Sequence, residues 1–190
     1  MSHAGSQVPS LVAATNLDWP QRPPIVGRGD YAGLTPRGAG IIALRQVAGR
    51  TWVCLAEKRR GFLSFPKGSI KGGEIVKEGA LREWVEEAGV NVDRLALLQG
   101  AFADDPRHGC RYLFAVCRVA AEGAGEPDEG RTSWEPPFED PRNRDPIART
   151  QWVRVDQVLR HEPPQGYRRP LPEFWVLLLE CALAERVARY

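Results

Sequence analysis

The 190 residues, 43% of them hydrophobic, are enough for one domain with a full core and leave little for a second. With 26 Lys and Arg against 24 Asp and Glu, the formal charge is only +2. That balance excludes a uniformly basic coat for nucleic acid or a membrane surface, so any electrostatic function has to come from local arrangement.

In chain order, residues 1–35 contain Pro20, Pro23 and Pro24, several glycines and no sustained period. They are expected to form a flexible arm with little regular structure, ahead of one domain over 36–190. No basic stretch followed by an apolar one opens the chain, and WVLLLECALA near its end is too short to span a bilayer. Cys54, Cys110, Cys117 and Cys181 form no CxxC pair, so they are read as buried thiols. A reducing, cytoplasmic protein is the expectation.

From Gly38, AGIIALRQV and TWVCLAEK predict two strands joined by a hairpin turn at AGR. RLALLQGAF and RYLFAVCRVA predict two more strands, and TQWVRVDQVL a strand running into a short helix near Asp156. Residues 121–148, rich in Pro, Gly and acidic side chains, predict a long loop. In the final segment Pro172 is placed to open a helix, with Phe174, Leu177, Leu178 and Cys181 at helical spacing for packing.

Lys67 to Val90, KGSIKGGEIVKEGALREWVEEAGV, holds five glutamates. Within it Ala80, Leu81, Trp84, Val85 and Ala88 recur at three- and four-residue intervals, predicting an apolar stripe on a helix that Gly89 ends. On that helix Glu83, Glu86 and Glu87 stand at i, i+3 and i+4, bringing three carboxylates to one side within about a turn. Such a cluster can be a solvated acidic face, or can pair with Arg82 and Lys77. It is equally a set of hard oxygen ligands for Mg²⁺ or Mn²⁺.

The full spacing narrows the choice. Gly68, five residues, Glu74, seven residues, Arg82-Glu83, two residues, Glu86-Glu87, one residue, Gly89 and apolar Val90 resembles the signature of the Nudix hydrolases. Trp84 stands where that family more often has an aliphatic residue. The resemblance implies an α/β/α sandwich with a mixed central β-sheet, and Mg²⁺- or Mn²⁺-dependent hydrolysis of a diphosphate linkage. It also implies metal ligation by Glu86, Glu87, Glu83 and the carbonyl of Gly68, with Glu83 alternatively taking a proton from water. Arg82 would orient a glutamate and Glu74 would lie in the outer network. Glu83, Arg82 and Glu86 are thus the catalytic candidates; none of Asp104, Asp105, Glu135, Glu139 and Asp145 is singled out as a further base.

For the substrate, the entry FPKG, Phe65 to Gly68, resembles the proline-lysine-glycine entry of Nudix enzymes that act on diadenosine polyphosphates and of messenger-RNA decapping enzymes. The segment from RYLFAVCRVA to ARTQWVRVDQVL resembles diphosphoinositol and diadenosine polyphosphate hydrolases, with Arg149 and Trp152 in the place of their basic segment and tryptophan strand. Lys58, Arg60, Lys67, Arg107, Arg111 and Arg149 are the expected substrate-binding cations, since adjacent phosphates need several positive partners. A small-molecule polyphosphate is therefore the expected partner of a monomer or homodimer, and capped RNA the alternative. A protein of this fold that binds nucleotide without cleaving it is the reading from another class; the complete set of box glutamates speaks against it.

Overall fold

A computed structural model of the chain describes residues 25–26, 36–58, 60–88, 95–105, 110–119, 147–164 and 166–187. The expected loop at 121–148 lies outside these residues up to Ile147, where a strand begins, as do most of the N-terminal arm, Arg59, Gly89 and Arg107.

Strands β2 (Gly38–Val47) and β3 (Arg50–Lys58) form the expected hairpin. Its turn residues Ala48 and Gly49 both have positive φ, 49° and 76°. A two-residue turn of that hand matches the right-handed twist of the strands it joins. Strands β6 (Leu95–Asp105) and β7 (Cys110–Val119) form a second antiparallel pair, and β7 runs parallel to β2. Strand β8 (Ile147–Arg154) adds antiparallel to β3 and passes directly into α2 (Val155–Leu159).

Three short strands were not legible in the sequence: β1 (Ile25–Val26), β4 (Leu63–Ser64) and β5 (Lys67–Ser69). Within the arm expected to hold little regular structure, the two apolar residues after Pro23-Pro24 form β1 by pairing in parallel with the edge of β6. β5 pairs antiparallel with the start of β2, setting Gly68 opposite Ala39 and Lys67 opposite Gly40. The sheet is mixed, in the order β1-β6-β7-β2-β3-β4.

Alternation along the central strands divides the core in two. Ile41, Ala43, Trp52, Cys54, Ala115 and Cys117 join Ala80, Leu81, Trp84 and Ala88 of α1 (Val76–Ala88). Ile42, Leu44, Val53, Leu55, Phe114 and Val116 join α2 and α3 (Glu173–Val187) on the other face. The result is the expected α/β/α sandwich. Cys54 and Cys117 are buried free thiols, and burial pushes the Cys117 thiol up to about 12. No helix among the described residues is long and apolar enough to cross a membrane.

Two helical stripes differ from the expectation. In α1 Val85 is 44% exposed and Gly79 is buried in its stead; in α3 Leu177 is 47% exposed, while Trp175, Val176, Leu178, Leu179 and Ala182 face the sheet. Spacing defines a stripe's width, and the packing partner decides which edge of it is covered.

Candidate active site

The box folds as strand, loop and helix, and each part holds the next. The loop after β5 turns at Gly73, whose φ is +88°, and Glu74 N–H donates to the Lys71 carbonyl. The helix then starts with Glu78 reaching back to accept from the Ile75 N–H at 3.1 Å, one half of a capping box.

Arg82 sits at the centre. Its guanidinium donates from Nε and Nη2 to Glu74 at 2.6 and 3.0 Å, from Nη1 to Glu83 at 2.6 Å and to Glu86 at 3.0 Å, and from Nη2 to the Ser69 carbonyl at 2.8 Å. These contacts use the whole fork of donors that an arginine has. Glu74 accepts both from Arg82 and from the Lys71 N–H at 2.7 Å, and these bonds hold its carboxyl down at about 2. One cation thus ties the loop to the helix and fixes three carboxylates.

Glu83 lies against Gly68. A side chain at position 68 would displace the Glu83 carboxylate, so the glycine serves here through space rather than through backbone angle. Burial raises the Glu83 pKa above its ordinary value, and Arg82 opposes the rise. Glu87 accepts from the Lys67 N–H at 2.8 Å. Its carboxyl is held well above the usual carboxylate range by burial and then by the Glu83 charge, with Lys67 and Lys58 opposing. Glu86 differs: it is half exposed, bonded to Arg82 and 3.7 Å from the Lys71 ammonium.

This donor set fits a divalent cation. Glu83 and Glu87 disfavour ionisation through burial and repulsion, and a bound cation would reverse both effects for hard oxygen ligands of this kind. Among the described residues no three His, Cys, Asp or Glu side chains gather into a ready-made cage. Glu86 is turned toward Arg82 and Lys71, so the three box carboxylates share a helix face without converging on one point.

The expected substrate-binding cations separate. Lys67 and Lys58 act electrostatically on Glu87, and Arg60 is exposed at the β3–β4 turn. Arg111 stands in β7 opposite Asp104, both of them strand residues. Arg149 is taken up within the fold: its Nε donates to Glu57 at 2.6 Å, its Nη2 to the Gly166 carbonyl at 3.2 Å, and its guanidinium lies 4.5 Å from the Tyr167 ring centroid. Trp152, its companion in the sequence reading, is buried against the α1 face.

Sequence reasoning passed over Gly38, Gly40 and Trp175. A Cβ at Gly38 would strike the Tyr112 ring, and one at Gly40 would strike Phe114 and the Lys67 stem. Glycines two apart inside an apolar strand are a signal of such close approach.

A model of the NUDIX domain matches residues 34–174. No curated protein matches the chain significantly. Among solved structures, a Nudix hydrolase from M. smegmatis, RenU, is similar at 19% identity and a TM-score of 0.51, covering 82% of this chain and 90% of that one. A C. elegans Ap4A hydrolase in a binary complex is similar at 15% identity and a TM-score of 0.53, covering 80% and 99%. The NUDIX domain of Shewanella oneidensis NrtR, complexed with ADP ribose, is similar at 14% identity and a TM-score of 0.51, covering 83% and 93%.

Proposed function

The chain belongs to the Nudix family and is a pyrophosphohydrolase, and on that premise we propose that it cleaves a diphosphate linkage in a polyphosphorylated small molecule, of the diadenosine polyphosphate or diphosphoinositol polyphosphate type, with Mg²⁺ or Mn²⁺. The observation that carries the reading is the pair Glu83 and Glu87, raised in pKa beside Gly68 and held by Arg82 and the Lys67 N–H.

Glu86, Glu87 and the Gly68 carbonyl would hold the cation, and Glu83 would complete the set as a ligand or as the group that takes the water proton. A bound divalent ion supplies neutralisation of the diphosphate and a more acidic water. Arg82 orients Glu83 and Glu86 from behind, because its donors are already used within the box. Lys67 and Lys58 carry positive charge next to Glu87 and provide the grip on phosphates that the metal does not reach. The likeness to Ap4A hydrolase is one of fold, so support for the substrate class comes from Pro66-Lys67-Gly68 and these two cations.

A second reading, cleavage of capped RNA, has one observation in its favour. The Arg169 guanidinium lies 5.7 Å from the ring centroid of half-exposed Phe62, at the β3–β4 turn that also carries exposed Arg60.

Incubation with Mg²⁺ and a panel of diadenosine polyphosphates, diphosphoinositol polyphosphates, ADP-ribose, nucleoside triphosphates and capped RNA, read by mass, tests both. Cleavage of the polyphosphates that vanishes in Glu87→Gln is the expected result. Preference for capped RNA, with binding that weakens steeply as salt rises, would install the second reading. Binding without cleavage across the panel would leave a non-catalytic nucleotide sensor.

A further inference from the structure

On the sheet face turned to α3, the side chain of Lys67 is seated on two aromatic rings. Its ammonium lies 5.1 Å from the ring centroid of Tyr112 and 5.5 Å from that of Trp175, both within the ~6 Å reach of a cation–π contact. The rings come from distant parts of the chain, β7 and the first turn of α3, and both are held in place. Trp175 meets Phe65, Phe114 and Phe174 edge-on, with centroids at 5.9, 5.5 and 5.0 Å, and Tyr112 lies 6.1 Å from Phe114. Gly38 leaves the room that the Tyr112 ring occupies, and Gly40 the room for the Lys67 stem.

The other end of Lys67 is also fixed. Its N–H donates to Glu87, and its side-chain charge is felt at that carboxylate. An exposed lysine samples many rotamers, whereas one placed against two packed rings is confined to few, and less freedom is then lost when it grips an anion. The C-terminal helix, which contributes no residue to the box, therefore reaches the site through one side chain.

We propose that Trp175 and Tyr112 are positioning residues for the substrate: together they hold the Lys67 ammonium in place beside the box and so set how tightly the phosphates beyond the scissile linkage are bound. The proposal rests on the reading of the substrate as a polyphosphate. A purely structural role for the same rings would consist of docking α3 and bracing β7.

A double-mutant cycle separates the two. The affinity for inorganic tripolyphosphate is measured calorimetrically with Ca²⁺ in place of Mg²⁺, for the full chain and for Lys67→Met, Tyr112→Leu and Trp175→Leu alone and combined. Tyr112→Leu and Trp175→Leu are each expected to weaken binding about threefold to thirtyfold, the affinity equivalent of a cation–π contact. In the Lys67→Met background each should weaken it by less than about twofold, because the group they position is gone. Trp175→Phe, which keeps a ring, should restore most of the affinity. Should Trp175→Leu not fold, Tyr112→Leu carries the cycle. Equal losses in both backgrounds overturn the proposal and leave the substrate reading intact; a wild-type chain that binds no tripolyphosphate overturns the substrate reading and the proposal with it.

Discussion

Helices α1 and α3 cover opposite faces of one sheet and are built on opposite principles. α1 buries Gly79, Ala80, Leu81, Trp84 and Ala88, mostly small residues, and so lies close to the sheet with its other side left for charge. α3 buries Trp175, Val176, Leu178, Leu179 and Ala182, and its exposed positions gather no comparable set of ion pairs among the described residues. The difference shows how like charges are tolerated. A single large anchor, Trp84, holds α1 down, and one arginine inside the carboxylate cluster absorbs part of the repulsion. α3 contributes chiefly burial.

If that division is right, the largest loss comes from the anchor. Trp84→Ala removes a fully buried side chain and should cost about 3–5 kcal/mol of stability, read as a lower midpoint in urea. Retention of the wild-type midpoint would mean that α1 is held by its charges after all.

Glu87→Gln should do the reverse. Hydrolysis falls at least about a hundredfold, about 2.7 kcal/mol of transition-state stabilisation, while the midpoint does not fall, since a partly buried carboxylate that resists ionisation has been replaced by a neutral amide. Chelation of the metal from the wild type should reproduce the activity loss. Arg82→Lys keeps the charge and loses the planar fork, so activity should drop about tenfold to a hundredfold in steady-state assays. A loss as small as twofold would show that the fork is not needed to place Glu83 and Glu86.

A second arginine–carboxylate network, on α2, sharpens the contrast because it lies at the surface. Asp156 accepts from Arg154 and Arg160, which hold its carboxyl below the ordinary 3.8. A lowered pKa means that the stabilisation is complete above that value and is lost as pH falls through the folded one. With Asp156 nearly half exposed, Asp156→Asn should cost less than ~1 kcal/mol near neutrality, and the two proteins should converge at the acid end of a denaturation series. Smallest of all, Val85→Ala and Leu177→Ala should each stay within about 0.5 kcal/mol of wild type in thermal melts, despite their place in apolar stripes.

Much of this was legible along the chain. The hairpin at 47–50, helix α1, the long strands at 95–105 and 110–119 and the final helix all follow from local period and turn chemistry. β1, β4 and β5 were not, because strands of two or three residues carry no period and exist only where a neighbouring edge offers hydrogen bonds. Nor was the use of Arg149. It is indistinguishable in sequence from a phosphate-binding cation, yet Glu57 and Tyr167 engage it within the fold.

By itself the sequence determined the reaction class and the helix that carries it, since Glu74, Arg82, Glu83 and Glu86 meet across one short loop or one helical turn, distances that spacing encodes directly. Only the tertiary structure decided what surrounds that helix: which carboxylates are raised in pKa, which cations stand near Glu87, and that Trp175 and Tyr112 meet over Lys67. Those outcomes depend on which strands become neighbours, and pairing across a hundred residues is set by the closing of the whole core rather than by any local pattern.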